Sequence, residues 1–413
     1  MRNWGLRYLA CVLIAVAFIA PASVFGAAPK QAQEKEWTIM IFWCADNNLE
    51  WTTEFCMNMW QEALTSNDQV NIIVLLDIES VDGTWIYELT HDERNEVAAW
   101  SEKNTSDPAV LKEFVLYCMD NYPAKKDMLL ISDHGYGWRG ICQDETNGDV
   151  LMTPDGIGKA LREVKSERAK GVDMLLFDAC NMATLEVAYE LRGAVPIMVG
   201  SETMEPYDGP PYKMFITDMV TNPSIAPREL ASNIVTEYVL YYSSKKGYEH
   251  QMRYNQDFAT FAAIDLDKMG LVGEKFNDLA TALQPLISDH IKEIEDARGY
   301  ALIGTWTNMA GYEWMPDVYT FVEGLRAIEG HPELTAAIDA FEMAFNDAVF
   351  AQANSKKYHD TVHGLNFWFP PSLSQYNMMG WIWARQFIYE GTGLDLVEGN
   401  SPWVQCLMTY YSC

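Results

Sequence analysis

Apolar residues along this chain form short continuous runs that alternate with amphipathic stretches of helical period. Such runs are typical of buried strands, and the stretches between them are typical of helices. The predicted strands cover residues 37–43, 70–76, 84–88, 128–132, 172–177 and 196–200, and the predicted helices cover 49–63, 110–119, 154–169, 185–191 and 227–242. A strand that is covered on both faces appears in a sequence as an uninterrupted apolar run. The alternation of such strands with helices therefore predicts an α/β fold with a mostly parallel sheet flanked by helices.

The pattern of predicted strands and helices changes near residue 249. A strand is predicted over 258–264, long helices over 268–297 and 332–350, and an aromatic strand over 364–369 that ends at two prolines. We therefore predict a first domain over residues 37–248 and a C-terminal α+β region over 249–413 that packs on it.

The N-terminus has the pattern of a secretory signal. Arg2 and Arg7 precede an apolar run over residues 8–20, and small residues surround Gly26. The run is too short to span a bilayer comfortably, and no later segment reaches spanning length. We predict a signal peptide over residues 1–26, a polar leader over 27–36, and a secreted or periplasmic product without a membrane span.

Charge and composition narrow the functional classes. The chain has 29 basic and 58 acidic side chains, for a net charge of −29. Such a surface repels phosphate backbones, so we expect no nucleic-acid partner, and it attracts cationic partners. A hydrophobic content of 49% with 14 tryptophans rules out a disordered chain.

Two predicted strands end in residues suited to nucleophilic catalysis. The strand over 128–132 leads to His134 and Gly135, and the strand over 172–177 leads to Cys180. If these strands are parallel neighbours, both side chains emerge at one sheet edge. A cysteine before a helix can be favoured as thiolate, and a nearby histidine can carry its proton. The N–H groups of Gly135 and Cys180 could form an oxyanion hole.

Each of these residues also has a purely structural interpretation. A single cysteine at the end of a buried strand is often an inert small hydrophobe. A histidine beside glycines is often a loop residue. The paired positions at two strand ends favour the catalytic hypothesis over two unrelated structural roles.

Five segments, in order along the chain, resemble those of the clostripain family of cysteine peptidases. The histidine segment at 129–138 reads LLISDHGYGW, and the nucleophile segment at 175–180 reads LLFDAC. The other segments are WTIM leading to ADNNLE within 37–50, SET through YDGPPY within 201–212, and HGL with FWFP within 363–370. The resemblance is spread over residues 37–370.

The resemblance implies a caspase-like fold and a dyad of His134 and Cys180. It also implies a preference for Arg or Lys before the scissile bond, assigned to Asp178 and Asp208, which match acidic pocket positions of the family. A carboxylate pair at the base of a pocket favours a guanidinium or ammonium group. The structural alternatives are a helix cap for Asp178 and a turn residue for Asp208.

Other expectations concern ions, cysteines and processing. We expect no required cofactor, with calcium as the ion that could bind, because some family members use it. The acidic segment at 144–149 lacks EF-hand spacing and is interpreted as a solvated turn. The seven cysteines after Cys11 show no zinc spacing, and their pairing is left open. The loop over 143–149 has no Lys or Arg, so self-cleavage is also left open.

The sequence thus predicts a secreted, monomeric cysteine endopeptidase whose substrates are peptides or proteins with Arg or Lys. Two alternatives stay open. One is a catalytically silent secreted protein that binds basic peptides, and the other is a related peptidase with a non-basic preference.

Overall fold

A computed structural model describes residues 33–64, 69–247, 259–301, 314–355, 360–378, 389 and 393–413. The predicted signal peptide, most of the predicted leader and the segment 248–258 lie outside the described residues. The predicted domain boundary at residue 249 falls in that last segment. No helix of the described residues has the length and apolar character needed to cross a membrane.

The described strands build one large sheet and a small hairpin. The strands are β1 (Lys35–Ala45), β2 (Val70–Ile78), β3 (Thr84–Leu89), β4 (Arg94–Trp100), β5 (Ala124–Ser132), β6 (Ile141–Asp144), β7 (Val150–Met152), β8 (Met174–Asp178), β9 (Ile197–Gly200), β10 (Thr260–Asp265) and β11 (Val349–Asn354). The sheet has the order β11-β10-β9-β8-β5-β1-β2-β3-β4, and β6 pairs with β7.

The five central strands are parallel, and both edges are antiparallel. Strands β9, β8, β5, β1 and β2 run in one direction, whereas β3, β4, β10 and β11 are added by antiparallel pairing. The predicted α/β class with a mostly parallel sheet is confirmed. Strands β10 and β11 come from the predicted C-terminal region, yet they extend the same sheet.

Helices cover both faces of the sheet. They are α1 (Thr53–Ala63), α2 (Pro108–Asn121), α3 (Pro154–Arg168), α4 (Leu185–Glu190), α5 (Tyr212–Thr221), α6 (Pro227–Ser243), α7 (Met269–Leu283), α8 (Ile291–Ala301), α9 (Val318–Gly324), α10 (Pro332–Ala348), α11 (Leu373–Met378) and α12 (Pro402–Tyr410). Proline at the first position of α2, α3 and α6 sets a helical φ where no intrahelical N–H bond is lost.

The side chains of β1 alternate between the two faces of the sheet, so the core consists of two clusters. Met40 and Phe42 pack in a cluster with α2, α3 and the C-terminal helices, whereas Ile39 and Ile41 pack in a cluster with α1, α5 and α6. Successive side chains of a strand point to opposite faces, so a continuous apolar run is what a doubly covered strand requires.

Three details differ from the sequence predictions. The aromatic segment at 364–369 is not a strand, because Asn366 makes isolated bridges to Thr184 and Asp317 instead of joining the sheet. The long helix predicted over 268–297 is two helices, with Pro285 in the break. The acidic segment at 144–149 is not simply solvated, since Asp144 is fully buried at the end of β6.

Candidate active site

The pairing of β5 with β8 determines where the predicted dyad lies. Ser132 and Asp178 are register partners at the ends of these parallel strands. His134 and Cys180 each lie two positions further along their strands, so they reach the same height at the sheet edge. Both residues line a cleft of about 480 Å³. The structure therefore brings together the two side chains that the sequence paired.

Gly135 brings the two loops into direct contact. A Cβ atom built on Gly135 would lie 2.1 Å from the carbonyl oxygen of Cys180 and 3.0 Å from its nitrogen. Any side chain here would push the two backbones apart, so this position requires glycine. The N–H groups proposed as oxyanion donors thus belong to residues whose backbones touch.

The imidazole of His134 has a partner that the sequence analysis did not assign. Its Nε2 lies 2.6 Å from Oδ1 of Asn48, in the loop that follows β1. An amide oxygen accepts hydrogen bonds, so this contact places the proton on Nε2 and leaves the lone pair on Nδ1. Asn48 belongs to the segment ADNNLE that resembled the family, and nothing in that pattern alone showed which asparagine faces the histidine.

The charges of the resting dyad differ from the thiolate expectation. Burial raises the pKa of Cys180 to about 12, with the Glu205 and Asp178 carboxyls adding to it. Burial lowers the pKa of His134 to about 4. Helix α4 begins only at Leu185, so Cys180 lies outside the first helical turn, where the helix dipole acts most strongly. Near neutral pH the pair is a thiol and a neutral imidazole.

Asp133, directly before His134, anchors the loop that follows β5. Its carboxylate accepts a hydrogen bond of 2.8 Å from the Asn47 side chain and another from the Gln143 backbone N–H. These contacts account for both carboxylate oxygens and direct the group toward β1 and β6. Asp133 therefore holds the loop in place, and Asn48 is the residue that hydrogen-bonds the imidazole of His134.

Asp178 lies in the wall of the same cleft. Its Oδ2 accepts a hydrogen bond of 2.8 Å from the Ser132 hydroxyl and one from the Tyr212 hydroxyl. Burial raises the pKa of Asp178, and these two hydrogen bonds oppose the rise. Gly209, with φ of +63°, packs so closely that its Cβ would lie 2.7 Å from Oδ1 of Asp178. The carboxylate is thus held in one orientation.

Asp208 is buried beside this wall but does not line the cleft. Glu205 lines it instead, together with Asp178 and Cys180. The Glu205 N–H lies 3.2 Å from the Cys180 sulfur, and burial raises the pKa of its carboxyl well above the ordinary value, with Asp178 adding to the rise. Glu205 was within a recognised segment, but a buried acid next to a proline gave no sign of a role.

Comparison with known proteins identifies the family of this chain. The family model described as the clostripain family (peptidase C11) matches residues 41–361. The chain belongs to the clostripain family of cysteine peptidases. A curated relative, clostripain of Hathewaya histolytica, is 32% identical over 187 residues, which are 38% of this chain and 36% of that protein. The match thus spans about a third of the relative's length.

Two solved structures share the fold. A secreted C11 cysteine protease from Bacteroides thetaiotaomicron, in complex with an irreversible peptide inhibitor, has a TM-score of 0.63 at 20% identity, covering 87% of this chain and 100% of that one. An inactive zymogen C11 protease from Parabacteroides distasonis has a TM-score of 0.64 at 18% identity, covering 89% and 99%. At these identities the likeness supports the caspase-like fold alone.

Proposed function

We propose that this protein is a secreted cysteine endopeptidase that cleaves peptide bonds after Arg or Lys, with Cys180 as nucleophile and His134 as proton carrier. The observation that carries the proposal is the common cleft: His134 and Cys180 follow the register pair Ser132–Asp178, and Asp178 lies in the same wall. Secretion is supported by the signal-like N-terminal sequence.

Acylation begins with the two groups uncharged. Nδ1 of His134 takes the thiol proton as the Cys180 sulfur attacks the carbonyl carbon of the scissile bond, and the carbonyl electrons move to oxygen. The N–H groups of Gly135 and Cys180 are the proposed donors to this oxyanion. The intermediate collapses to a thioester as the C–N bond breaks, and imidazolium gives its proton to the leaving amine.

Deacylation repeats the proton transfers with water as nucleophile. His134 removes a proton from water as its oxygen attacks the thioester carbonyl, and it returns the proton to the departing Cys180 sulfur. A neutral imidazole is required at the start of both halves. The low pKa of His134 supplies that form at any pH well above about 4.

The basic preference is assigned to the acidic wall of the cleft. Asp178 provides a half-buried carboxylate within the cleft, with Asp208 buried behind it. Glu205 is a third acid close to the attacking sulfur. A guanidinium or ammonium that enters this wall meets carboxylates in a partly desolvated site, where charge-assisted hydrogen bonds are strongest.

The test is covalent labelling by a peptide that ends in an arginyl acyloxymethyl ketone. We expect one label per chain, at Cys180, that is lost in Cys180→Ala and kept in Cys413→Ala. Cys413 is the matched control because its thiol is exposed and would capture a non-specific electrophile. Trypsin treatment before labelling tests for a zymogen. A folded protein that binds an arginyl peptide but never takes the label, before or after trypsin, would be the silent binder instead.

Asn48 is expected to act as a positioning residue. In Asn48→Ala, kcat for an arginyl peptide should fall about tenfold while KM is unchanged, because one hydrogen bond that sets the tautomer is lost. In Asn48→Asp, a carboxylate beside Nε2 stabilises imidazolium, so the pKa of His134 rises and the acid limb of the rate moves to higher pH.

Steady-state kinetics over a range of pH measures both effects. Asn58→Ala is the control, since Asn58 contacts Glu54 and Arg94 at the surface of α1. A merely structural Asn48 would lower the stability of the protein and leave the pH profile where it is.

A further inference from the structure

Two exposed aromatic side chains meet beside the catalytic cleft. Trp51 lies in the short 3-10 turn Glu50–Thr52 that follows β1, and Tyr207 lies in the loop after β9. Their ring centroids are 5.7 Å apart, and the ring planes are tilted by 58°. The two residues are 59% and 39% exposed. Large aromatic rings that stay in contact with water beside a cleft are typical of a binding surface.

The contact between the two rings spans the cleft. In the sheet order β9-β8-β5-β1, the strands that lead to the dyad lie between β1 and β9. The loops that carry Trp51 and Tyr207 therefore approach the dyad from opposite sides. Tyr207 lines the cleft itself, as does Thr52, the neighbour of Trp51 in the chain. The ring pair thus connects the two sides of the cleft.

Both rings are carried by turns that hydrogen bonds hold in place. In the first turn, Oε2 of Glu50 accepts a hydrogen bond of 3.0 Å from the backbone N–H of Ser80. In the second turn, the N–H of Gly209 donates to the carbonyl oxygen of Pro206 at 2.9 Å. The carbonyl oxygen of Gly209 accepts a further bond of 2.7 Å from the Tyr242 hydroxyl. Turns that are fixed before a ligand binds lose little conformational entropy when it does.

The cleft that the rings span has an acidic wall. Asp178 and Glu205 line it together with Cys180, and a basic side chain of the substrate would reach these carboxylates from a carbonyl carbon held at Cys180. Within the described ranges, no Lys or Arg of the chain lies over the Trp51 ring. The site therefore offers a substrate cation both carboxylates and an aromatic face.

We propose that Trp51 and Tyr207 determine specificity by favouring arginine over lysine before the scissile bond. The inference rests on the proposed function, because it requires a basic side chain at the acidic wall. The planar guanidinium stacks on an aromatic face while its edge donates to the carboxylates of Asp178 and Glu205. The ammonium of lysine is compact and strongly hydrated, so it uses the same carboxylates but gains less from the rings.

The experiment compares kcat/KM for two peptides that differ only in Arg or Lys before the scissile bond. The wild type should favour the arginyl peptide. In Trp51→Ala, the Arg-to-Lys ratio should fall about 3- to 30-fold, the effect of losing one cation–π contact. Tyr207→Ala should lower the ratio by less, because indole is the stronger cation–π partner. Trp51→Phe keeps an aromatic face and should retain part of the ratio.

A matched variant controls for the loss of any exposed ring. Tyr300 is a 63% exposed tyrosine on α8 that does not line the cleft. Tyr300→Ala makes the same chemical change as Tyr207→Ala and should leave the Arg-to-Lys ratio unchanged. Thermal unfolding verifies that each variant is folded, and Trp51→Ala should have nearly the Tm of the wild type because Trp51 is mostly exposed.

Three outcomes would overturn the inference. One is a wild type that cleaves the lysyl peptide as well as the arginyl peptide. Another is an Arg-to-Lys ratio that does not change in either Trp51→Ala or Tyr207→Ala. The third is an equal loss for both peptides, as expected if the rings only cover the aliphatic part of the side chain.

Failure of the proposed function has a different signature. It would appear already in the wild type, as no labelling of Cys180 or as equal kcat/KM for arginyl and neutral citrullyl peptides, and the inference would then be refuted with it. A wild type that prefers arginyl to citrullyl peptides, with ring variants that leave the Arg-to-Lys ratio unchanged, would refute the role of the rings alone.

Discussion

Replacing Cys180 with alanine is expected to abolish hydrolysis of an arginyl peptide, a loss on the order of 10⁶-fold in kcat if chemistry is rate-limiting. His134→Ala should cost about 10²–10⁴-fold, the usual contribution of a positioned general base. The two effects should not add, because without the nucleophile there is no proton for His134 to move. Initial rates on a fluorogenic arginyl substrate measure both.

The pKa values give this prediction a second readout. Since burial raises the pKa of Cys180 to about 12, a small haloacetamide should react slowly with this thiol at neutral pH and faster toward alkaline pH. An arginyl electrophile should react much faster at the same pH, because it is held beside the dyad. Its rate should fall as pH drops through about 4, where His134 becomes protonated. Rapid, pH-independent alkylation between pH 5 and 8 would instead indicate a preformed thiolate.

The sequence was sufficient for the parts of the fold that depend on burial alone. Apolar runs such as residues 128–132 and 172–177 predicted β5 and β8 because a strand covered on both faces has no polar position to obscure the pattern. Strand β4 was missed because it is an edge strand with half-exposed side chains. Residues 364–369 have the composition of a strand, yet their backbone bonds are made to loops around Thr184 and Asp317.

In the site, the residues that directly follow a predicted strand were predictable. His134 and Cys180 could be paired because both directly follow predicted strands, and the ends of neighbouring parallel strands lie at one sheet edge. Asn48 could not be assigned, because its contact with His134 depends on the geometry of the two loops that carry these residues. The charge state of Cys180 was predicted in the wrong direction. The strand-to-helix pattern indicated a nearby helix end, whereas enclosure by the loops decides the pKa.

Replacing Asp178 with asparagine should remove most of the preference for a positive charge before the scissile bond. We expect kcat/KM for an arginyl peptide to fall about 30- to 5000-fold, the usual range for truncating one partner of a desolvated charge pair. Asparagine keeps an oxygen that can accept from the Ser132 and Tyr212 hydroxyls. The loss should therefore reflect charge and leave the fold intact.

A citrulline peptide makes this prediction specific. Citrulline has the shape of arginine without its charge, so the ratio of kcat/KM for arginyl and citrullyl peptides isolates the electrostatic contribution. The ratio should be large in the wild type and collapse in Asp178→Asn. Asp120→Asn is the control, since Asp120 pairs with Arg168 at the surface. An unchanged ratio in Asp178→Asn would mean that this carboxylate does not face the substrate.

Glu205→Gln and Asp208→Asn then distinguish the two other acids of this wall. Glu205 lines the cleft beside Cys180, whereas Asp208 lies behind it. If charge acts by direct contact, Glu205→Gln should lower the arginyl-to-citrullyl ratio more than Asp208→Asn. If the wall acts through its summed field, the two variants should lower it equally. A low ratio already present in the wild type would exclude the basic preference and leave the peptidase with a neutral one, because the dyad makes no use of these carboxylates.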